Sequence, residues 1–63
     1  MRTEKIKNLK RKAFSDSKDL TYWEKTITEI SVFIDEATDA EREALGQAPL
    51  EIATMTYFDL KAM

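Results

Sequence analysis

The strongest constraint on the fold of this chain is a regular apolar pattern between Leu20 and Ala37. Its apolar residues recur at intervals of three and four: Leu20, Trp23, Ile27, Ile30, Ile34 and Ala37. Residues three and four apart lie on the same side of an α-helix. The pattern therefore predicts a central helix with one continuous apolar seam that other segments must cover. Val32 points away from this seam, and Phe33 flanks it.

The rest of the composition also favours helices. A single glycine and a single proline leave few places for sharp turns, and strong helix formers are plentiful. We predict an all-α fold of three or four short helices, at residues 3–14, 19–37, 38–45 and 49–61, packed as a small helical hairpin or bundle. Sixty-three residues can form only one small domain. Within this domain, residues 1–18 form a basic first helix and loop, and residues 19–63 form an acidic helical body.

The first helix has an apolar stripe of three residues, with Phe14 beside it: Ile6, Leu9 and Ala13. Thr3 is predicted to cap its start, because a hydroxyl can accept an unpaired backbone N–H. The sequence does not decide where between Ser17 and Thr21 the central helix begins. A capping box of Thr21 with Glu24 competes there with three other possible caps: Asp16, Ser17 and Asp19.

Clear boundary signals follow the central helix. Thr38 and Glu41 fit a capping box, so the central helix either continues to Leu45 or bends and restarts near Thr38, and we favour the restart. Gly46 suits the left-handed conformation common at helix C-termini. Pro49 fits the first turn of a last helix, where its missing N–H costs nothing.

The last helix carries two apolar stripes. One contains Leu50, Ala53, Tyr57 and Leu60; the other contains Ile52, Met55 and Ala62, with Phe58 at its margin. A surface helix of a monomer should show one apolar face. The second stripe therefore predicts a contact with another copy or a larger protein. The alternatives are that two other helices grip the last helix, or that it frays beyond Phe58. The candidate protein interface comprises Val32, Ile52, Met55, Phe58 and Ala62.

Charge is divided unevenly along the chain. Residues 1–18 hold seven basic and two acidic side chains, a net charge of +5, and residues 19–63 hold three basic and ten acidic side chains, a net charge of −7. Such a division suggests nucleic-acid or membrane contact, or it means that one half of the fold neutralises the other. The candidate nucleic-acid contacts are Lys5, Lys7, Lys10, Arg11, Lys12 and Lys18. The acidic body would repel a duplex, which disfavours this role.

No residue pattern indicates chemistry. Histidine and cysteine are absent, which excludes imidazole bases, thiol nucleophiles, disulfides and thiolate zinc sites. The acidic run from Asp35 to Glu43 lacks the glycine that an EF-hand needs at its sixth position, where Ala40 stands. We predict no catalytic, metal or cofactor site and no small-molecule substrate.

No apolar run reaches the roughly 18 residues needed to cross a membrane, and the basic start is not followed by the apolar stretch of a signal peptide. The default expectation is a cytoplasmic protein with no membrane contact.

The segment from Leu45 to Ile52 resembles the turn of bacterial helix-turn-helix repressors, with Leu-Gly, then Pro three residues after the glycine and Ile six after it. The sequence departs from that family before the turn, where Glu41 and Arg42 replace an apolar pair. The helix that should read bases offers only Lys61 as a cation. Because base readout relies heavily on Arg, Lys, Asn and Gln, the resemblance does not extend to DNA recognition by this helix.

In size, charge division and lack of a chemical motif, the chain resembles the small helical accessory proteins of temperate bacteriophages and plasmids. This resemblance concerns general features of the whole chain and includes no specific motif. It implies a protein that acts on host regulation, replication or phage development through binding. We predict a non-enzymatic interaction or regulatory protein that uses an apolar helical surface, as a homodimer or bound to a larger protein. The alternative is an accessory nucleic-acid-binding protein that uses the basic N-terminal helix.

Overall fold

The computed structural model describes residues 1–63 and contains four helices and no strands. The helices are α1 (Thr3–Ala13), α2 (Leu20–Glu36), α3 (Asp39–Leu45) and α4 (Ala48–Ala62). The predicted all-α fold is confirmed, and each predicted helix end lies within one residue of the observed one. The central helix ends before Thr38, so α3 is a separate element.

The arrangement is a helical hairpin of α2 and α4 with α1 packed alongside it. The most extensive contact joins α2 and α4, and α1 packs against all three other helices. Ile34 near the end of α2 shares a groove with Leu50 at the start of α4, and the Tyr57 hydroxyl of α4 donates to Glu24 near the start of α2. These two contacts show that α2 and α4 run antiparallel, with α3 spanning the end of the hairpin.

The core is a cluster of nine buried apolar residues: Ile6, Leu9, Ala13, Trp23, Ile30, Phe33, Ala37, Leu45 and Ala53. All three residues of the predicted α1 stripe belong to it. α4 contributes one small residue, Ala53, to this cluster. Leu50, Tyr57 and Leu60 pack against the cluster while remaining half-buried.

The buried face of α2 differs from the predicted seam. Trp23, Ile30 and Ala37 are buried as expected, but Leu20 is exposed. Phe33, predicted at the flank of the seam, is only 2% exposed, so the buried surface of α2 extends beyond the seam to include it. The reason is that α2 has two neighbours. Phe33 lies beneath the Arg2 guanidinium at the N-terminus of α1, 4.6 Å from the guanidinium carbon to the ring centroid, whereas Ile34 lies on the α4 side.

Side-chain hydrogen bonds from Asp19 and from the first turn of α2 hold the connection between α1 and α2. Asp19 is the N-cap of α2 and accepts the backbone N–H of Thr21 at 3.0 Å, so the cap is Asp19 and not the Thr21–Glu24 box. The indole N–H of Trp23 donates to the Ser17 carbonyl at 2.8 Å. The Tyr22 hydroxyl donates to the Lys12 carbonyl at 2.8 Å. These bonds fasten the loop to the first turn of α2 and to the end of α1.

The break between α2 and α3 follows the predicted capping box. Ala37 and Thr38 adopt extended backbone conformations, and Thr38 and Glu41 exchange both bonds of the box. Arg42 reaches back to the Ile34 and Ala37 carbonyls, which satisfies acceptors that the end of α2 leaves open. After α3, Gly46 has a φ of +78°, a conformation that an L side chain would disfavour. Pro49 lies in the first turn of α4.

The thermal stability of an Ile30→Asp variant would test the buried face of α2. Ile30 is 0% exposed. Truncating a buried isoleucine costs about 2–5 kcal/mol, and a core of this size rarely supplies more than about 3–5 kcal/mol. An unpaired buried charge adds a desolvation cost, so this variant should lose its helical circular dichroism at room temperature.

Val32→Asp is the matched control, because Val32 lies two residues further along α2 and is 48% exposed. It should keep most of the helical signal. Unchanged melting of Ile30→Asp would show that Ile30 is not in the core.

Candidate interaction surfaces

The outward side of α4 exposes large apolar side chains. Met55 is 64% exposed, Phe58 is 58% exposed, and Ala62 is exposed one turn further on. Their spacing of three and four places them on one side of the helix, opposite the buried Ala53. We call Met55, Phe58 and Ala62 the α4 outer face. Since α4 stays helical to Ala62, the second stripe is neither gripped by other helices nor frayed.

Ile52 stands at the margin of this face. Helical geometry turns it about 60° from Met55, away from the side where Leu50 meets α2. Ile52 is half-buried, yet it is not one of the half-buried apolar residues that pack against the core. Ile52 therefore adjoins the α4 outer face on one side and does not cover it.

Phe58 is oriented by a neighbour that belongs to the core side of α4. The rings of Tyr57 and Phe58 meet edge to face, with their centroids 5.5 Å apart. The Lys61 ammonium lies 5.6 Å from the centroid of the Tyr57 ring. The Phe58 ring therefore has an aromatic neighbour on the core side of α4.

Charged residues stand at both ends of the α4 outer face. Glu51 lies in the first turn of α4 and Lys61 in the last turn, and both are exposed. The four ion pairs of the structure include neither of them. Asp59, which is also exposed and outside these ion pairs, lies two residues before Lys61. The N-terminal end of the face thus carries one negative charge, and the C-terminal end carries one charge of each sign.

Val32 lies apart from the α4 residues with which the sequence grouped it. It lines a shallow groove between α1 and α2, together with Arg2, Lys5, Thr28, Glu29, Phe33 and Glu36. No α4 residue lines this groove. Val32 is an isolated apolar residue among polar neighbours, a common feature of protein surfaces.

The basic residues of α1 fall into two sets. One set faces the acidic body: Lys12 Nζ lies 2.8 Å from Glu29 Oε2, and Lys5 lines the groove that contains Glu29. The hydrogen bond from Lys12 lowers the pKa of the Glu29 carboxyl, and the charges of Lys12 and Lys5 lower it further, against the opposing effect of desolvation. This half of the basic helix neutralises its own neighbours.

The other set faces away from α2. Lys7, Lys10 and Arg11 are exposed and have no carboxylate partner; Arg11 donates to Asn8 at 2.9 Å. Their spacing of three and four puts them on one side of α1, next to Phe14, which is 56% exposed. Lys18 is exposed in the following loop. The six residues predicted to contact nucleic acid therefore do not form one surface.

The sequence did not reveal a buried carboxylate that joins the start of α1 to α3. Glu41 is 5% exposed. It accepts the Arg2 backbone N–H at 2.9 Å, the Arg2 Nε–H at 3.0 Å and the Thr38 backbone N–H at 3.0 Å. The sequence shows the capping role of Glu41, but no local signal pairs it with Arg2, which lies 39 positions earlier.

No group of three acidic side chains is placed to hold a metal ion. The hydroxyls of Tyr22 and Tyr57 and the carboxylate of Glu41 are engaged in structural hydrogen bonds. None of the helices combines the length and apolarity that crossing a bilayer requires.

The Glu41 contacts predict an acid-sensitive stability. The Arg2 side chain, with the backbone N–H groups of Thr38 and Arg2, lowers the pKa of Glu41 from 4.5 to about 2. A carboxyl with a depressed pKa in the folded state contributes stability that is complete above pH 4.5 and is lost as the pH falls to about 2. Glu41→Gln should therefore have a lower urea midpoint than the wild type at pH 7, and the difference should shrink between pH 4.5 and 2.

Glu43→Gln provides the control for this measurement, since Glu43 is an exposed carboxylate of the same helix. Its urea midpoint should follow that of the wild type across the pH range. A constant difference between Glu41→Gln and the wild type down to pH 2 would contradict the assigned role of the Glu41 charge.

Comparison with known proteins adds no family to this description. No protein-family model, curated protein sequence or solved structure matches the chain. The α4 outer face and the cations of α1 that lack a carboxylate partner, Lys7, Lys10 and Arg11, are two exposed features of the molecule on which a proposal can rest.

Proposed function

We propose that this protein is a non-enzymatic interaction protein that presents the α4 outer face to another protein. The observation that carries the proposal is the exposure of two large apolar side chains, Met55 and Phe58, on a helix whose opposite side already packs into the core. Contiguous exposed apolar residues with a polar rim typically mark an interaction site.

Energetics support a use for this face. Burying a methionine or phenylalanine side chain fully is worth about 1.5–3 kcal/mol, a large amount beside the marginal stability of a small domain. Only twelve of the 63 residues are buried. A partner that covered the α4 outer face would enlarge the apolar interior without any rearrangement of the four helices.

The partner is either a second copy of the chain or a larger protein. The resemblance to accessory proteins of bacteriophages and plasmids would make such binding regulatory, and that part of the proposal depends on the resemblance alone. Neither form of the proposal requires a catalytic group or a cofactor.

A second candidate function is nucleic-acid binding through the free side of α1. The observation in its favour is that Lys7, Lys10 and Arg11 share one side of α1 without carboxylate partners. Cations of this kind bind phosphates by releasing counterions, independently of base sequence. The acidic body weakens this candidate, since its net charge opposes the approach of a duplex.

Met55→Glu combined with Phe58→Glu tests the leading proposal. Both side chains are more than half exposed, so the double variant should keep the helicity and melting temperature of the wild type. It should lose association, measured as self-association by sedimentation equilibrium and as capture of a defined partner from cell extract. Ile52 is left unchanged in this design because it is half-buried.

Phe14→Glu is the matched control, because Phe14 is as exposed as Phe58 but lies beside α1. It should associate like the wild type. Association that survives in the double variant, or a wild type that binds neither itself nor another protein, would overturn the proposed function.

Lys7→Glu combined with Arg11→Glu tests the second candidate. If α1 binds phosphates, the wild type should bind a duplex of arbitrary sequence with an affinity that falls steeply as salt rises, and the double variant should lose that binding. Fluorescence anisotropy of a labelled duplex between low and moderate salt is the measurement. Absence of wild-type binding at low salt would eliminate this function.

A further inference from the structure

We infer that the groove where α2, α3 and α4 meet binds a basic segment of a partner protein. An aliphatic side chain of that segment lies on the apolar floor of the groove, and a lysine or arginine lies against its acidic rim. The groove is a different surface from the α4 outer face, which it adjoins at Glu51, and the inference does not depend on the proposed function. Its floor, its rim and the end of α3 each favour this class of ligand.

The floor of the groove is apolar and small. The groove has a volume of about 640 Å³, and its two apolar lining residues are Ile34 of α2 and Leu50 of α4. Both are half-buried and pack against the core, and both keep part of their surface in the groove. An aliphatic side chain placed there would cover apolar surface that the four helices leave in water.

Two carboxylates without partners stand at the rim. Glu43 of α3 and Glu51 of α4 line the groove, are exposed and belong to none of the four ion pairs. The cation that lines the groove, Arg42, is already engaged, because its guanidinium donates to two carbonyls at the end of α2 and to the Asp39 carboxylate. The groove therefore has two uncompensated negative charges.

The charged residues around the groove do not cancel this charge. Asp35 is exposed at the α2 border of the groove, next to one of its lining residues. The lysines of α2 and α4, Lys25 and Lys61, are about 14 Å and 15 Å along their helices from the groove. Arg2, the residue of α1 that pairs with α3, is held by the buried Glu41. The complementary ligand is therefore a cation.

The end of α3 adds hydrogen-bond acceptors. α3 ends at Leu45, and the two residues that follow it, Gly46 and Gln47, line the groove. No backbone N–H donates to the carbonyls of residues 43–46. Helix carbonyls point toward the C-terminus and favour cations there. A basic side chain of the last turn can fill this role, but Arg42 reaches back to α2 instead.

The open form of the groove favours a protein segment over a small molecule. A pocket for a small molecule typically buries about 70–90% of the surface of its ligand. This groove has two apolar lining residues, and its charged residues are exposed, so a lone amine would remain largely in water. A lysine or arginine within an apolar segment combines both contacts, since its aliphatic stem can lie along the floor while its charge stays at the rim.

Binding of a fluorescein-labelled peptide of alternating leucine and lysine tests the site. Fluorescence anisotropy should be measured with the full chain at about 0.15 M salt, where charges more than about 8 Å apart are largely screened. The wild type should bind this peptide. Two unlabelled peptides should compete poorly for it, one with glutamate in place of lysine and one with glycine in place of leucine. In NMR titrations, the backbone N–H signals of Gly46 and Gln47 should shift, and those of α1 should not.

Glu43→Gln combined with Glu51→Gln should raise the dissociation constant of the peptide about tenfold, because it removes both rim charges and keeps the side-chain size. Both positions are exposed, so circular dichroism should show the wild-type fold. Glu4→Gln combined with Asp59→Asn is the matched control. It changes the net charge by the same amount at exposed positions outside the groove, and it should bind the peptide like the wild type.

Absence of peptide binding by the wild type, or equal affinity for the peptide with glycine in place of leucine, would overturn the inference. An equal loss of binding in the two double variants would also overturn it, because the attraction would then be to the net charge and not to the groove. Displacement of the peptide by hexylamine at the same concentration would assign the groove to a small amine and overturn the choice of a protein segment.

The outcomes separate this inference from the proposed function. The Met55→Glu, Phe58→Glu variant changes residues outside the groove, so it should still bind the leucine–lysine peptide while it loses association through the α4 outer face. Loss of peptide binding in that variant would place the peptide on the α4 outer face and overturn the inference.

Discussion

One buried carboxylate determines how the first helix sits on the others. Glu41 accepts N–H groups from Arg2 and Thr38, and thereby joins the start of α1 to the N-cap of α3. A charge removed from water is tolerated only when it is paired and hydrogen-bonded, so the burial of Glu41 and the docking of α1 require each other. Removal of one partner from such a pair is destabilising, because it leaves the other charge buried and uncompensated. The position of α1 then decides which surfaces of α2 remain open.

Local structure could be predicted from the sequence where its cause is also local. The restart at Thr38, the glycine at the end of α3 and the proline in the first turn of α4 each act within a few residues, and they mark the helix ends correctly. The full burial of Phe33 could not be predicted from local spacing, because it depends on Arg2, which lies 31 positions earlier in the chain. The cap at Thr3 was wrong for the same reason, since the start of α1 is anchored by Glu41 and not by a neighbouring hydroxyl.

The candidate surfaces could also be predicted only where they depend on the periodicity of a single helix. The exposed stripe of α4 could be predicted because both stripes belong to one helix, whose periodicity places Met55 and Phe58 away from Ala53. The separation of Val32 from that stripe could not, since it depends on how α1 and α4 pack against different sides of α2. The division of the basic residues likewise follows from packing. Lys12 meets Glu29, whereas Lys7 turns outward, and no spacing along the chain distinguishes them in advance.

The burial of Trp23 has an optical consequence. It is the single tryptophan of the chain, is 0% exposed, and lies edge to face with Tyr22 while its N–H is held by the Ser17 carbonyl. Its fluorescence therefore comes from one defined, water-free environment. Ligands that bind the outer surface leave the indole in that environment, whereas loss of the packed interior exposes it to water. The protein thus carries an intrinsic spectroscopic probe that separates the integrity of its interior from events at its surface.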